Sequence, residues 1–297
     1  MSKFLSGVEK VEKDSRLIFL ILAFGLVTAS SAATLIELTD APALTVAAYR
    51  MVFASVILAP IAFTFYREEI TGLDRKTALF IAFVGVFLAV HFATWIKSLD
   101  YIPVPDAILL TNSSPIFVAL LSYVFLNEGS SKREVAGIMT AILGMGLIVY
   151  PKISQYVSLI GSLLAVMAAV AFSGYLVSSR DLRQKYSLVP FIFLVYSASA
   201  VTLGVASGFI GVPLTGFGGN VYFLMFLIGL VPTVLGHTTF NWSLEYLRAT
   251  VVSVSMLTLP VLASLMAWIV LGEVPTTWTF VGGAFILGGI YLAGREG

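Results

Sequence analysis

Three ionisable residues stand inside long apolar stretches of this sequence: Arg50, His91 and His237. If those stretches cross a bilayer, each ionisable group at its centre costs about 2.5–3.5 kcal/mol on insertion scales and needs a compensating interaction. Arg50 could anchor a substrate carboxylate, or it could form a fixed ion pair with Glu37 or Asp40, since buried arginines are usually paired. The histidines could hydrogen-bond a ligand or carry a coupled proton, or they could simply bond a neighbouring helix.

Each histidine has a second polar or aromatic side chain one helical turn away. Trp95 follows His91 by four residues, and Asn241 follows His237 by four residues. Residues separated by four positions share one face of a helix. Each pair therefore predicts a polar–aromatic stripe on the wall of a shared cavity, with ordinary packing between helices as the alternative.

Two prolines inside apolar stretches, Pro115 and Pro260, follow runs of small polar residues. A proline leaves the carbonyl one turn before it without its helical hydrogen bond. The polar side chains could bond that carbonyl, or they could line a cavity beside a break in the helix. Tyr175 is a further cavity candidate, or a packing aromatic. The predicted substrate-binding residues are His91, Trp95, Asn112, Ser114, Tyr175, His237, Asn241, Ser253 and Ser255, with Arg50 as substrate anchor or ion-pair partner.

The composition places these residues in a membrane. Of the 297 residues, 59% are hydrophobic and 11% are charged. A soluble domain of this length needs more charged residues than this on its surface. Several apolar stretches reach the roughly 20 residues that a helix needs to cross a hydrocarbon core of about 30 Å. They do not alternate with polar residues, which excludes a transmembrane β-barrel.

Several function classes are excluded by what the sequence lacks. A net charge of +1 gives no electrostatic basis for binding nucleic acid. The absence of cysteine removes thiol catalysis and cysteine-ligated metals, and no metalloprotease His-Glu-x-x-His motif occurs. We therefore predict no catalytic residue, no cofactor and no metal. The expected partners are a small-molecule substrate and the lipid bilayer, while proton coupling and a homodimer stay open.

Turn residues and charges divide the chain into ten predicted transmembrane helices. Their approximate ranges are 17–37, 43–65, 77–98, 104–126, 134–150, 157–178, 188–210, 220–243, 250–271 and 277–294. With residues 1–16 as a cytoplasmic segment, fourteen of the 17 Lys and Arg residues fall on the cytoplasmic side. The positive-inside rule then predicts that both termini lie in the cytoplasm, and the expected location is the cytoplasmic (inner) membrane. A cleaved signal peptide at the N-terminus is the alternative for the first apolar stretch.

The chain repeats itself at an offset of 145 residues. The segment Ser98–Tyr101 matches Ser243–Tyr246, Pro115 matches Pro260, and His91 and His237 fall one position out of register. The other matched pairs are Glu128 with Glu273, Gly137 with Gly282, and Gly144 with Gly289. Each half, 17–150 and 157–294, holds five spans, so the second half enters the membrane inverted. Inverted repeats are typical of alternating-access carriers with a substrate site near the midplane.

These segments resemble a known family. The stretch from Leu109 to Gly146, with Leu-Thr-Asn-Ser-Ser-Pro and Leu126-Asn127-Glu128, is similar to the EamA module of the drug/metabolite transporter superfamily, and so is 237–273. The resemblance implies a ten-helix carrier that exports amino acids or related metabolites through a cavity lined by the first, third, fourth, sixth, eighth and ninth helices. The small multidrug relatives use a glutamate deep in the first helix for proton exchange, whereas this helix has no acid before Glu37.

The remaining charges have less specific interpretations. We expect a solvated rim and an outer gate at Lys97, Asp100 and Asp106. We expect loop or capping roles at helix ends for Glu128 and Glu273. The leading prediction is a secondary-active transporter and not an enzyme. The alternatives are a membrane channel or scaffold, and an intramembrane enzyme.

Overall fold

The computed structural model describes residues 15–150, 158–271 and 274–294, and every regular element in these ranges is helical. Seven of the ten predicted spans are unbroken helices. They are α1 (Ser15–Glu37), α2 (Ala43–Phe65), α3 (Arg75–Ser98), α5 (Lys132–Val149), α6 (Leu159–Arg183), α7 (Leu188–Ile210) and α10 (Thr277–Gly294). A short helix that the sequence did not predict, Arg67–Thr71, joins α2 to α3.

The other three spans are interrupted, each beside a proline. The fourth, α4, consists of Val104–Thr111 and Ser114–Leu126 and breaks just before Pro115. The eighth, α8, contains a π-helical segment around Pro232, and the ninth, α9, has a 3₁₀ turn before Pro260. The pieces of α8 are Gly219–Ile228, Gly229–His237 and Thr238–Ser243, and those of α9 are Ala249–Ser255, Met256–Thr258 and Leu259–Leu271. Proline removes one N–H from the helical ladder, so the backbone changes its hydrogen-bonding pattern there.

Charged residues define the ends of two helices. The sequence predicted that the sixth span ends near 178, but α6 continues to Arg183 because Arg180 and Arg183 lie in its last turn, where a basic charge suits the helix dipole. Asp74 caps α3 by accepting hydrogen bonds from the backbone N–H groups of Lys76 and Thr77. The side-chain hydrogen bond from Thr77 to this carboxylate lowers the pKa of Asp74.

Nine helices in the described ranges are long and apolar enough to cross a membrane. The tenth, α5, begins with the charged residues Lys132, Arg133 and Glu134 and then packs along α10. This contact depends on glycine. A Cβ added to Gly137 would lie 2.6 Å from the carbonyl oxygen of Gly289, and one added to Gly144 would lie 2.5 Å from that of Gly282.

The glycine contact also shows how the two repeats face each other. Gly137 and Gly144 of α5 correspond to Gly282 and Gly289 of α10 at the offset of 145 residues. In the structure Gly137 contacts Gly289, the counterpart of Gly144, and Gly144 contacts Gly282, the counterpart of Gly137. This reciprocal pattern is that of a two-fold axis between the repeats. The protein is therefore an all-α membrane protein with two inverted repeats, as predicted.

Candidate functional site

A cavity of about 160 Å³ opens between the two repeats. Its walls come from α1, α2, α3, α4, α6, α8 and α9, which includes every helix that the family resemblance implied and adds α2. The lining side chains are mostly apolar or aromatic, with a few polar groups among them. They are Ala29, Ser30, Ala32, Arg50, His91, Phe92, Trp95, Ile108, Thr111, Asn112, Ser114, Phe172, His237, Met256, Leu259, Pro260 and Ala263.

Arg50 enters this cavity from α2, seven residues after the helix begins. Its side chain is almost fully buried, with 3% of the residue surface exposed. The Nε group donates a hydrogen bond to Thr233 Oγ1 (2.7 Å), and the guanidinium carbon lies 4.3 Å from the centre of the Phe92 ring. The predicted alternative of an ion pair with Glu37 or Asp40 is not formed, since no salt bridge within the described ranges involves Arg50.

The π-helical segment of α8 positions the hydrogen-bond partner of this arginine. Thr233 lies in the segment and donates its hydroxyl to the carbonyl oxygen of Ile228 (2.8 Å), so its oxygen is held in place to accept from Arg50. Gly229, at the start of the segment, lets α8 approach α2 closely, because a Cβ there would lie 2.7 Å from the Phe53 Cβ.

The two histidines meet in one aromatic cluster at the cavity. His91 contacts Phe92 and Phe172 with ring centres 5.0 and 4.7 Å away, and His237 faces the same two rings at 5.9 and 6.5 Å. His91 Nδ1 lies 3.0 Å from the carbonyl oxygen of Ala168 and donates to it, because a carbonyl can only accept. Trp95 stacks parallel to His91 at 6.5 Å, so the predicted His91–Trp95 stripe lies on the cavity wall.

The break in α4 supplies polar groups to the cavity wall. Asn112 donates its amide to the carbonyl oxygen of Ile108 (2.9 Å), and Ser113 donates to that of Leu110 (2.6 Å). The Ser114 carbonyl accepts a hydrogen bond from Ser173 of α6 (3.1 Å). The side chains of Asn112 and Ser113 therefore bond carbonyls within the turn before the break, and Asn112 and Ser114 also line the cavity.

Four of the predicted site residues lie away from the cavity wall. Asn241 is fully buried and donates its amide to the Tyr175 hydroxyl (2.6 Å) and to the His237 carbonyl oxygen (2.8 Å). Ser253 and Ser255 donate to carbonyl oxygens of their own helix, Thr250 and Val251. The structure thus unites Arg50, His91, Trp95, Asn112, Ser114 and His237 at the cavity and places Tyr175 and Asn241 in a layer beneath it.

Beneath that layer lies a charged network that the sequence did not predict. Arg248 bonds the carboxylates of Glu128 (3.4 Å) and Glu134 (2.9 Å) and the carbonyl oxygen of Gly129 (2.9 Å). Arg180 lies 3.5 Å from the Glu128 carboxylate, and Glu134 also accepts from Thr250. These residues form a network, here called the basic-end network, that joins the ends of α4 and α6 to the starts of α5 and α9. Glu128 lies in a loop, as predicted, but it forms ion pairs instead of a helix cap.

A second buried arginine connects the basic-end network to the polar layer. Arg183 pairs with Glu245, and its Nε donates to the Asn241 carbonyl oxygen (3.2 Å). The only sequence signal for these contacts is the clustering of Arg and Glu at matched helix ends, which does not specify the partners. Glu273 lies outside the described residues.

The predicted outer rim is only partly assembled. Lys97 pairs with Asp100 at 2.7 Å, and both side chains are more than half exposed. Asp106 has a buried carboxylate oxygen without a hydrogen-bond partner among the described residues. It does not join the Lys97–Asp100 pair.

Comparison with known proteins identifies transporters along both repeats. A model described as the EamA-like transporter family matches residues 15–150 and again 159–295. The chain is 28% identical to the pseudopaline exporter of Pseudomonas aeruginosa, over 84% of this chain and 86% of that one. It is 28% identical to a probable terminal-alkyne amino-acid exporter of Streptantibioticus cattleyicolor over 66% of each chain. With an uncharacterized transporter of Bacillus subtilis it shares 27% identity, over 62% of this chain and 60% of that protein.

A solved structure shares the fold. A crystal structure of another protein superposes on this one with a TM-score of 0.79, over 94% of this chain and 96% of the other chain. The sequences are 18% identical, so this likeness concerns the fold alone. It confirms the predicted architecture over nearly the whole chain.

Proposed function

Because this chain belongs to the EamA-like transporter family, we propose that it is a secondary-active carrier that exports amino acids or related small metabolites by alternating access. The observation that carries this proposal is the cavity between the two repeats, with a closed polar layer and a charged network on one side of it. A carrier needs a site that is open to one side of the membrane while the path to the other is blocked. The printed names of two relatives, an amino-acid exporter and a pseudopaline exporter, support the direction of transport.

The positions of the lining residues along their helices support a one-sided cavity. Phe172, which lines the cavity, precedes Arg183 at the end of α6 by 11 residues, or roughly 16 Å at 1.5 Å per residue. Lining residues of α9 begin at Met256, seven residues beyond the start of that helix at Ala249. The site therefore lies away from the basic-end network. With that end in the cytoplasm, as the positive-inside rule predicts, this conformation faces outward.

The inverted repeats support the second conformation. Each five-helix repeat can rock against the other about the glycine contact between α5 and α10, and the basic end would then open while the outer end closes. We further propose that 17–150 and 157–294 act as the two moving units, after a cytoplasmic segment of residues 1–16. The two histidines at the cavity are the candidates for a coupled proton, since none of the described residues that line it is acidic.

Counterflow into liposomes tests the proposal. Purified protein is reconstituted, the liposomes are loaded with one unlabelled solute, and uptake of the labelled solute is followed for amino acids, amines and nucleosides, with and without a pH gradient. A carrier gives saturable uptake that internal solute accelerates. Conduction without saturation or counterflow would instead identify a channel, and chemical conversion of the solute would identify an enzyme.

A further inference from the structure

The Arg50 guanidinium is a buried cation without an acidic partner in the described part of the chain. Guanidinium has five N–H donors, and the single hydrogen bond found for this one uses Nε. The Phe92 ring offers a cation–π contact, which offsets only part of the cost of burying a charge. Within the described ranges, no Asp or Glu lines the cavity that Arg50 enters.

Among the described residues, the other buried arginine shows the contacts of a structural role. Arg183 is equally buried, at 3% exposed, but it pairs with Glu245 and donates to two backbone carbonyls. It does not line the cavity. Arg50 differs on both counts, since its terminal amino groups have no protein acceptor within the described ranges and its side chain forms part of the cavity wall.

Thr233 and Phe92 fix the direction of the guanidinium. Thr233 accepts from Nε on one edge, and the Phe92 ring covers one face. What remains is the outer edge with its two amino groups, which form the fork that binds both oxygens of a carboxylate. A ligand carboxylate at this edge would supply the missing counter-charge.

The rest of the cavity indicates the group attached to that carboxylate. Apart from the two histidines, Asn112 and a few hydroxyls, the rest of the cavity wall is formed by aromatic and aliphatic side chains, among them Trp95, Phe172 and Leu259. Its volume of about 160 Å³ is close to that of a cavity known to hold benzene, about 150 Å³. Resting on the proposed function, we propose that the carrier recognises an organic carboxylate whose apolar group is about the size of a benzene ring, with Arg50 as the counter-ion, and that it rejects cations.

Three matched compounds test this inference on the unmodified protein. The compounds are 3-phenylpropionate, 3-phenylpropanamide and 3-phenylpropylamine, which share one apolar group and differ in charge. Titration calorimetry measures their binding to the purified protein in detergent. We expect the carboxylate to bind at least roughly tenfold more tightly than the amide, and the amine to bind more weakly than the amide. Equal affinity for carboxylate and amide, or no binding of the carboxylate at millimolar concentration, would overturn the inference.

Variants assign the preference to Arg50. Arg50→Gln should weaken binding of 3-phenylpropionate by roughly 10- to 150-fold, the range for a hydrogen bond to a charged group, and leave binding of the amide within a few-fold. Arg183→Gln is the matched control, since it removes an equally buried arginine outside the cavity and should leave the carboxylate-to-amide ratio unchanged. If Arg50→Gln does not fold, Arg50→Met takes its place because it also removes the charge, and an unchanged carboxylate-to-amide ratio in either folded variant contradicts the assignment to Arg50.

The outcome is separable from that of the carrier proposal. Counterflow of solutes without any preference for carboxylates would leave the carrier standing and overturn this inference. If 3-phenylpropionate binds in a way that depends on Arg50 but no solute shows counterflow, the carboxylate inference stands and the carrier proposal is overturned.

Discussion

At the scale of single residues, the structure separates two side chains that the sequence grouped together. The helix spacing predicted that Trp95 and Asn241 occupy equivalent places at one site. Trp95 lines the cavity and stacks on His91, whereas Asn241 is fully buried beneath it and bonds Tyr175. We therefore expect Trp95 to contact the substrate and Asn241 to contribute to helix packing.

This separation makes a testable prediction. Trp95→Ala should weaken substrate affinity by roughly 2- to 13-fold, because an aromatic contact contributes about 0.5–1.5 kcal/mol, and should change stability little by comparison. Asn241→Leu should lower the free energy of unfolding by about 1–3 kcal/mol, since the Tyr175 hydroxyl loses its buried donor, and should leave affinity nearly unchanged. The half-saturating concentration in liposomes and the thermal midpoint in detergent measure the two effects. The reverse pattern would show that Asn241 belongs to the substrate site.

At the scale of elements, the contact between α5 and α10 has no room for an added methyl group at its glycines. A Cβ at Gly144 would lie 2.5 Å from the Gly282 carbonyl oxygen, whereas one at Gly146, in the same helix, would meet nothing within 4 Å. Close backbone approach of this kind is a common basis of helix association in membranes.

The two glycines therefore form a matched pair of substitutions. Gly144→Ala should destabilise the protein by about 1–3 kcal/mol, because overpacking must push α5 and α10 apart. Gly146→Ala should be neutral or stabilise by up to about 1 kcal/mol, since alanine favours the helix more than glycine does. Thermal midpoints of the two variants in one detergent decide the matter, and equal midpoints would show that the helices do not pack through their glycines.

At the scale of the whole molecule, the charges at the helix ends differ between the two repeats. Arg248 joins Glu128 and Glu134, and its counterpart at the offset of 145 residues is Pro103, which cannot form an ion pair. The repeats are therefore related in backbone but not in the charges at their ends. Breaking the basic-end network should favour the conformation that opens this end.

Single cysteines in this cysteine-free chain measure that shift. Ala263→Cys, in the cavity wall, should react with an impermeant thiol reagent from outside, and Lys185→Cys only from the cytoplasmic side. Adding Arg248→Gln should raise the rate of cytoplasmic labelling at position 263 on the order of tenfold, because hydrogen bonds between charged groups that hold this end closed are lost. Labelling of position 185 from outside intact cells would contradict the orientation, and an unchanged rate at position 263 would contradict the role of the network.

The sequence by itself determined the membrane-spanning helices, the repeat and the family, because the cost of exposing polar backbone to lipid acts on each segment regardless of its neighbours. It also identified Arg50, His91 and His237, since ionisable groups are rare in apolar stretches. Only the tertiary structure decided which side chains meet. The partners of Arg50, Glu128 and Asn241 lie 183, 120 and 66 residues away in the chain. Helical periodicity gives the face of a residue on its own helix. The rotation of one helix against another depends on packing that no local pattern encodes, and here the breaks in α4, α8 and α9 alter that rotation.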